Sequence, residues 1–312
     1  MSTQLAVVVP CYNEEAVLPA TRQRLLGLLD KLAAAGTISA ESEIYFVDDG
    51  SRDATWSLIE QYANADKRVR GIKLSRNHGH QNALLAGLLH ADGDAIISID
   101  ADLQDDIDVM AEMIEAFQAG HDVVYGVRET RSRDSFAKRF FAESFYRVLR
   151  LMGVDIVFNH ADFRLLSRRA LSALAEFGEV NLFLRGVIPA LGFPSTVVSY
   201  ARSERLAGDS KYSIRGMLSL AARGVTSFSA LPLRLIALLG VAIFGLTLVL
   251  SIWVLWTRLF SDAVVPGWAS SVLPMYFLGG VQLLSIGVLG EYVARVYLET
   301  KRRPRFIIEK QL

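Results

Sequence analysis

Short apolar runs alternate with longer segments of helical spacing through the first half of the chain. Leu5–Val9 is β-rich and reads as a strand that Pro10 ends. Ala16–Ala35 sets Leu25, Leu28, Leu29 and Leu32 on one helical face and stops at Gly36. The pattern then predicts strands over Glu43–Val47, Val69–Leu74, Ala95–Ile99 and Val123–Val127. Helices over Ala54–Ala65, His80–His90 and Ile107–Gln118 separate them. Phe163–Leu166 and Ser195–Tyr200 read as further short strands, and 135–153 as helical, basic and aromatic. Such alternation predicts an α/β fold: a mainly parallel sheet with helices on both faces.

The pattern changes after Arg234. Leu235–Thr257 is free of charge over 23 residues and Ala263–Gly290 over 28, where a membrane span takes about 20. Two spans are expected, at about 234–257 and 268–292, within 232–298. Trp253, Trp256, Trp268 and Tyr276 suit the interfacial belts. Arg234 precedes the first span and Lys301-Arg302-Arg303-Pro304-Arg305 follows the second. The positive-inside rule then puts both termini in the cytoplasm and leaves a short external hairpin. The start of the chain lacks a signal-peptide pattern, so residues 1–212 are expected to form a cytoplasmic domain. Ser213–Val225 carries Arg215 and Arg223 among apolar residues; 213–231 is read as an interfacial helix and 299–312 as a basic cytoplasmic tail. Gly279-Gly280, Gly287 and Gly290 would allow close helix packing, and a homo-oligomer is expected.

Composition adds exclusions. Lys plus Arg number 33 and Asp plus Glu 33, so no net field favours nucleic acid. The mean hydropathy of +0.30 comes from the two uncharged stretches. Cys11 is the sole cysteine, which excludes an intramolecular disulfide and a Cys-rich metal site.

Ligands of a parallel sheet sit beyond the carboxyl ends of its strands. That places four clusters on one rim: Pro10–Glu14, Asp48-Asp49-Gly50-Ser51, Asp100–Asp106 and Gly126–Arg128. Asp100-Ala101-Asp102 puts two carboxylates at a strand end, where they repel unless a cation intervenes. Mg2+ or Mn2+ suits one or two carboxylates plus phosphate and water oxygens, and Gln104 could add an amide oxygen. Taken alone the triplet also fits an acidic turn, and Asp105 and Asp106 read as caps of the helix from Ile107. His80 reads as shaping a helix start rather than as a base.

In combination, strand–Pro10-Cys-Tyr12-Asn13-Glu14, strand–Asp48-Asp49-Gly-Ser51, Arg76-Asn77-His-Gly79 and Asp100-Ala-Asp102-Leu-Gln104 resemble the family 2 inverting glycosyltransferases of the GT-A (Rossmann-like) fold. Asp162-Phe-Arg, Arg205-Leu-Ala-Gly-Asp-Ser-Lys211-Tyr and two C-terminal transmembrane helices narrow this to the polyprenyl-phosphate glycosyltransferases, which include dolichol-phosphate mannose synthase and the bactoprenol glucosyltransferases. The resemblance implies that Pro10, Tyr12, Asn13, Glu14, Asp48 and Asp49 line the nucleotide pocket. Asp100 and Asp102 would face the nucleotide-sugar, with Asp102 and Gln104 on the metal. Arg128 and Arg139 would contact donor phosphate; Ser144, Arg205 and Lys211 would receive the lipid phosphate.

The expected activity is transfer of one sugar, from UDP-glucose, to undecaprenyl phosphate with inversion, in the inner membrane among its lipids. GDP-mannose, UDP-4-amino-arabinose and UDP-N-acetylhexosamine donors share the same framework. A polysaccharide-extending synthase is disfavoured because the chain lacks a QxxRW-like acceptor motif. A two-span scaffold without activity is disfavoured by the full Asp100, Asp102, Gln104, Arg128 and Arg139 set.

Overall fold

A computed structural model describes residues 2–102, 104–128, 160–179, 184–200, 231–260 and 268–312. The elements run β1 (Leu5–Cys11), α1 (Leu18–Ala34), β2 (Glu43–Asp48), α2 (Thr55–Ala65), β3 (Val69–Leu74), α3 (His80–His90), β4 (Ala95–Ser98), a 3-10 turn at Ile107–Val109 leading into α4 (Met110–Gln118), and β5 (Val123–Arg128). Then come β6 (His160–Ser167), α5 (Arg168–Ala175), α6 (Leu184–Ala190), β7 (Ser195–Tyr200), α7 (Leu231–Phe260), α8 (Trp268–Thr300) and β8 (Ile308–Gln311). The expected helices at 135–153 and 213–225 lie outside the described residues.

One eight-stranded sheet has the order β7-β5-β6-β4-β1-β2-β3-β8. β1 runs parallel to β2 and β4, β2 to β3, and β5 to β7. β6 lies antiparallel between β4 and β5, and β8 antiparallel on β3. The alternation of side chains along a strand splits the core in two. Leu5, Val7, Val9 and Cys11 face α1, α2 and α4, whose apolar stripes, including Leu25, Leu28, Leu29 and Leu32 of α1, cover that side. Ala6, Val8, Tyr45 and Val47 face α3, α5 and α6. Each Leu or Ile so buried contributes about 1.5–3 kcal/mol relative to exposure.

Two elements depart from the sequence pattern. Pro10 does not end β1; it pairs in register with Val47, and the strand continues to Cys11. The Val8 carbonyl accepts from Ile99 on the β4 side, whereas the Cys11 carbonyl accepts from Asp49 on the β2 side. Pro10 shares its parity with Val8, so its missing N–H falls where β4 has already ended at Ser98. The second departure is β8, which makes the end of the basic 299–312 segment an edge strand of the sheet.

α7 spans 30 residues and α8 spans 33. Leu238, Val249, Trp253, Met275, Leu283 and Val293 stand exposed along them. Among the described residues, one stretch, Val281–Thr300, is long and apolar enough by length and composition to cross a membrane.

α3 packs on the sheet through Gly87. A Cβ added there would lie 2.3 Å from Val8 Cγ1 and 2.7 Å from Val47 Cγ2. Gly87→Ala is expected to destabilise the fold by about 1–3 kcal/mol through overpacking, read as a lower denaturation midpoint of the full chain in detergent.

Candidate active site

The C-terminal edges of β1, β2, β3 and β4 carry the loops that form the site, and the first three lock together. Asn13, in the left-handed region at φ 55°, accepts from the Arg52 amide at 2.8 Å, while its own N–H donates to Ser51 Oγ at 2.9 Å. The Glu14 amide donates to Thr55 Oγ1, and Glu15 Oε2 accepts from the Ala54 amide. Asp48 is fully buried; one oxygen accepts from the Ser51 amide, and burial pushes its pKa up.

Asp49 binds the third loop. Its two oxygens accept from the backbone amides of His78 at 2.7 Å and Gly79 at 2.9 Å. Burial raises its pKa, and those two amides pull it back down. Gly50 sits at φ 68°, and a Cβ there would lie 2.5 Å from the Arg76 carbonyl carbon. Only glycine allows the 48–51 turn to approach 76–77 so closely. Pro10 is buried inside β1, and Tyr12 is 38% exposed at the mouth of the interlocked loops.

The acidic loop after β4 is fixed from both sides. Thr21 Oγ1 of α1 donates to the Ala101 carbonyl at 2.6 Å, and the Gln104 amide donates to Asp102 Oδ1 at 3.2 Å. Gln104 itself is buried. Asp106 caps the following helical turn, accepting from the Asp108 amide at 3.1 Å. Asp105 does not serve as a cap. It is buried and accepts a bidentate pair from Arg128, at 2.8 and 3.1 Å, plus the Tyr200 hydroxyl at 2.6 Å. Arg128, expected on donor phosphate, is thus anchored to the acidic loop. Arg139, Ser144, Arg205 and Lys211 lie outside the described residues.

A second polar cluster was not assigned from sequence. Asp162 and Arg164 project from one face of β6 and pair with each other, with Arg185 of α6 adding an ion pair to Asp162 at 3.2 Å. His80 Nε2 bridges to Asp162 Oδ2 at 3.5 Å and to Asp100 Oδ1 at 3.6 Å. Against the effect of burial, His80, Arg164 and Arg185 hold Asp162 well below the usual carboxylate range. Burial alone would lower the His80 pKa, but the Asp162 and Asp100 carboxylates raise it. The i, i+2 spacing of Asp162 and Arg164 was the available signal, since it sets both on one face of a strand.

Asp100 is pushed to a pKa of about 6 by burial and by the Asp162, Asp105 and Asp102 charges, against a lowering by His80. Such crowding of hard oxygen donors fits a divalent ion. Among the described residues no group of three His, Cys, Asp or Glu side chains could hold one alone. An ion would therefore complete its shell with water and ligand oxygens.

The glycosyl transferase family 2 profile matches residues 6–175. The chain belongs to that family. It is 46% identical to the glycosyltransferase YkoT of Bacillus subtilis over 99% of this chain and 92% of that one. It is 40% identical to the bactoprenol glucosyl transferase of Shigella phage SfII over 98% of each chain. Among solved structures, glucosyl-3-phosphoglycerate synthase from Mycobacterium tuberculosis, bound to Mn2+, UDP and phosphoglyceric acid, is 18% identical with a TM-score of 0.46, covering 72% of this chain and 76% of that one. The sheet described above, parallel over β1–β4 and flanked by helices, is the GT-A arrangement of family 2.

The Asp100 shift has a testable sign. Its pKa rises from 3.8 to about 6 on folding. The folded state then holds the extra proton between those values, so this group's contribution to stability falls as pH rises through that window. Asp100→Asn is expected to raise the melting temperature of the metal-free protein at pH 7.5, with the gain vanishing below pH 4. Added Mg2+ or Mn2+ should stabilise the wild type more than Asp100→Asn, which loses one anionic neighbour of the cation; equal shifts in both would show that Asp100 adds nothing to cation binding.

Proposed function

We propose that this chain is an inverting glycosyltransferase that moves one sugar from a nucleotide-sugar, UDP-glucose, to undecaprenyl phosphate. The observation that carries the reading is the 40% identity to a bactoprenol glucosyl transferase over 98% of both chains, long helices included. In this reading the enzyme sits in the inner membrane with its α/β domain and both termini in the cytoplasm. α7 and α8 are the two spans, and the apolar side chains exposed along them support contact with lipid. Self-association through the glycines of α8 belongs to the same proposal.

The interlocked 11–15, 48–53 and 76–79 loops would hold the nucleotide, and Asp100 and Asp102 would face the diphosphate-sugar. Asp102 and Gln104 are the proposed holders of Mg2+ or Mn2+, which as a Lewis acid would stabilise the departing nucleoside diphosphate. Arg128 and Arg139 would meet the donor phosphates, and Ser144, Arg205 and Lys211 the lipid phosphate. An oxygen of that phosphate attacks the anomeric carbon in line, and the bond from that carbon to the diphosphate oxygen breaks. The nucleophile is already anionic at neutral pH, so the residues need only position it and offset its repulsion from the donor.

The test is mass spectrometry of the lipid product from the full-length protein in membranes. Donors are UDP-glucose, GDP-mannose, UDP-4-amino-arabinose and UDP-N-acetylhexosamine. UDP-glucose is expected to give undecaprenyl monophosphoglucose, and consumption of no donor with any polyprenyl phosphate would sink the enzyme reading. A product that grows by several sugars would favour the polysaccharide synthase instead. Asp102→Ala is expected to lower kcat by about 100-fold or more. Arg205→Ala should raise KM for the lipid phosphate about tenfold with a smaller change in kcat; an unchanged lipid KM would overturn the acceptor-site assignment.

A further inference from the structure

The segment after α8 returns to the sheet beside the proposed nucleotide site. α8 ends at Thr300, and Arg302, at φ 47°, turns the chain back. Arg305 Nη1 then donates to the Phe177 carbonyl at 2.7 Å, and the Phe306 ring meets His90 edge-on at 6.0 Å. The Ile307 carbonyl accepts from the Ser75 amide at 2.9 Å, at the first residue beyond β3. Ile308, Lys310 and Gln311 pair with Leu74, Lys73 and Ile72, and the Leu312 amide donates to Gly71. Lys310 to Glu60 at 2.6 Å and Glu309 to Lys73 at 2.9 Å hold the strand laterally.

The 75–79 loop is therefore gripped from two sides. Asp49 holds the amides of His78 and Gly79 from β2, and the Ile307 carbonyl of the returning segment holds the Ser75 amide. The Asp49 grip is local to the rim. The other grip reaches it from five residues beyond a long apolar helix.

We propose that Arg305–Leu312 is a positioning element for the Ser75–Gly79 loop, so that nucleotide binding depends on the segment that follows the last membrane helix. The proposal rests on the donor-site reading above. A loop held on one side only would spend part of its time out of its binding shape. If the competent fraction falls to about one tenth, the apparent dissociation constant rises about tenfold.

The test uses the full-length protein in nanodiscs, with uridine diphosphate plus Mg2+ as the probe. Two variants are compared with the wild type. Arg305→Ala combined with Phe306→Ala keeps the β8 ladder, and a second variant stops after Arg303. Hydrogen exchange over Ser75–Gly79 should quicken while β1 and β2 stay protected. The Kd for uridine diphosphate and the KM for the donor should rise about tenfold, with kcat at saturating donor and KM for lipid phosphate within about twofold of wild type. Arg305→Lys should restore donor KM. Unchanged exchange in the loop, or faster exchange with unchanged nucleotide affinity, would overturn the proposal. So would a joint loss of kcat and both KM values, as general destabilisation gives. A wild type that binds no nucleoside diphosphate would fail the donor reading itself, and the coupling with it.

Discussion

Carboxylate charge crowded at one edge of the sheet, much of it buried, is the constraint around which this site is arranged. Asp48, Asp49, Asp100, Asp102, Asp105 and Asp162 all lie at that edge, and taking an anion out of water is costly unless it is compensated. The compensation differs from group to group, and the differences assign roles. Asp49 spends both oxygens on backbone amides, so it shapes a loop. Asp105 is matched by a bidentate arginine and a tyrosine, so it ties the acidic loop to β5 and β7. Asp162 is matched by two arginines and a histidine. Asp100 shares His80 with Asp162 against three neighbouring carboxylates, and burial with that crowding pushes its pKa to about 6. The residual charge falls where a cation and an anionic donor would meet.

On the proposed reading, the same arrangement prepares Arg128 for a diphosphate. Its guanidinium is fixed on the buried Asp105, three residues beyond Asp102, while part of the arginine side chain stays exposed. An arginine so held loses little conformational freedom on meeting a ligand, which is the condition for electrostatic preorganisation. The same pairing ties the positive part of the site to the acidic loop.

Much of this was legible in the sequence, for physical reasons. The strands and helices from Leu5 to Val127 announce themselves because each buries one face or both, and His80–His90 begins and ends where its pattern does. The rim clusters follow from strand direction. Three things were not legible. Pro10 looked like a terminator because the early end of the neighbouring β4 is a tertiary fact. Asp105 looked like a cap because its partners, Arg128 and Tyr200, stand 23 and 95 residues away. β8 is a short, exposed, charged edge strand, Ile-Glu-Lys-Gln, and such strands carry no apolar run by which to be recognised.

β8 also changes how the two parts of the chain relate. A tail that merely trailed from the last long helix would leave the α/β domain joined to the helices on one side, through the residues before α7. With β8 in the sheet the chain leaves the domain and comes back to it, and the return point is the β3 edge rather than a remote face. β3 leads directly into the loop that Asp49 clamps. Charged contacts at Lys310–Glu60 and Lys73–Glu309 are exposed and individually weak. The grip rests instead on the antiparallel ladder, the packing of the partly buried Phe306 and Ile308 against the α3 side of the core, and Leu312 filling the space that Gly71 leaves open.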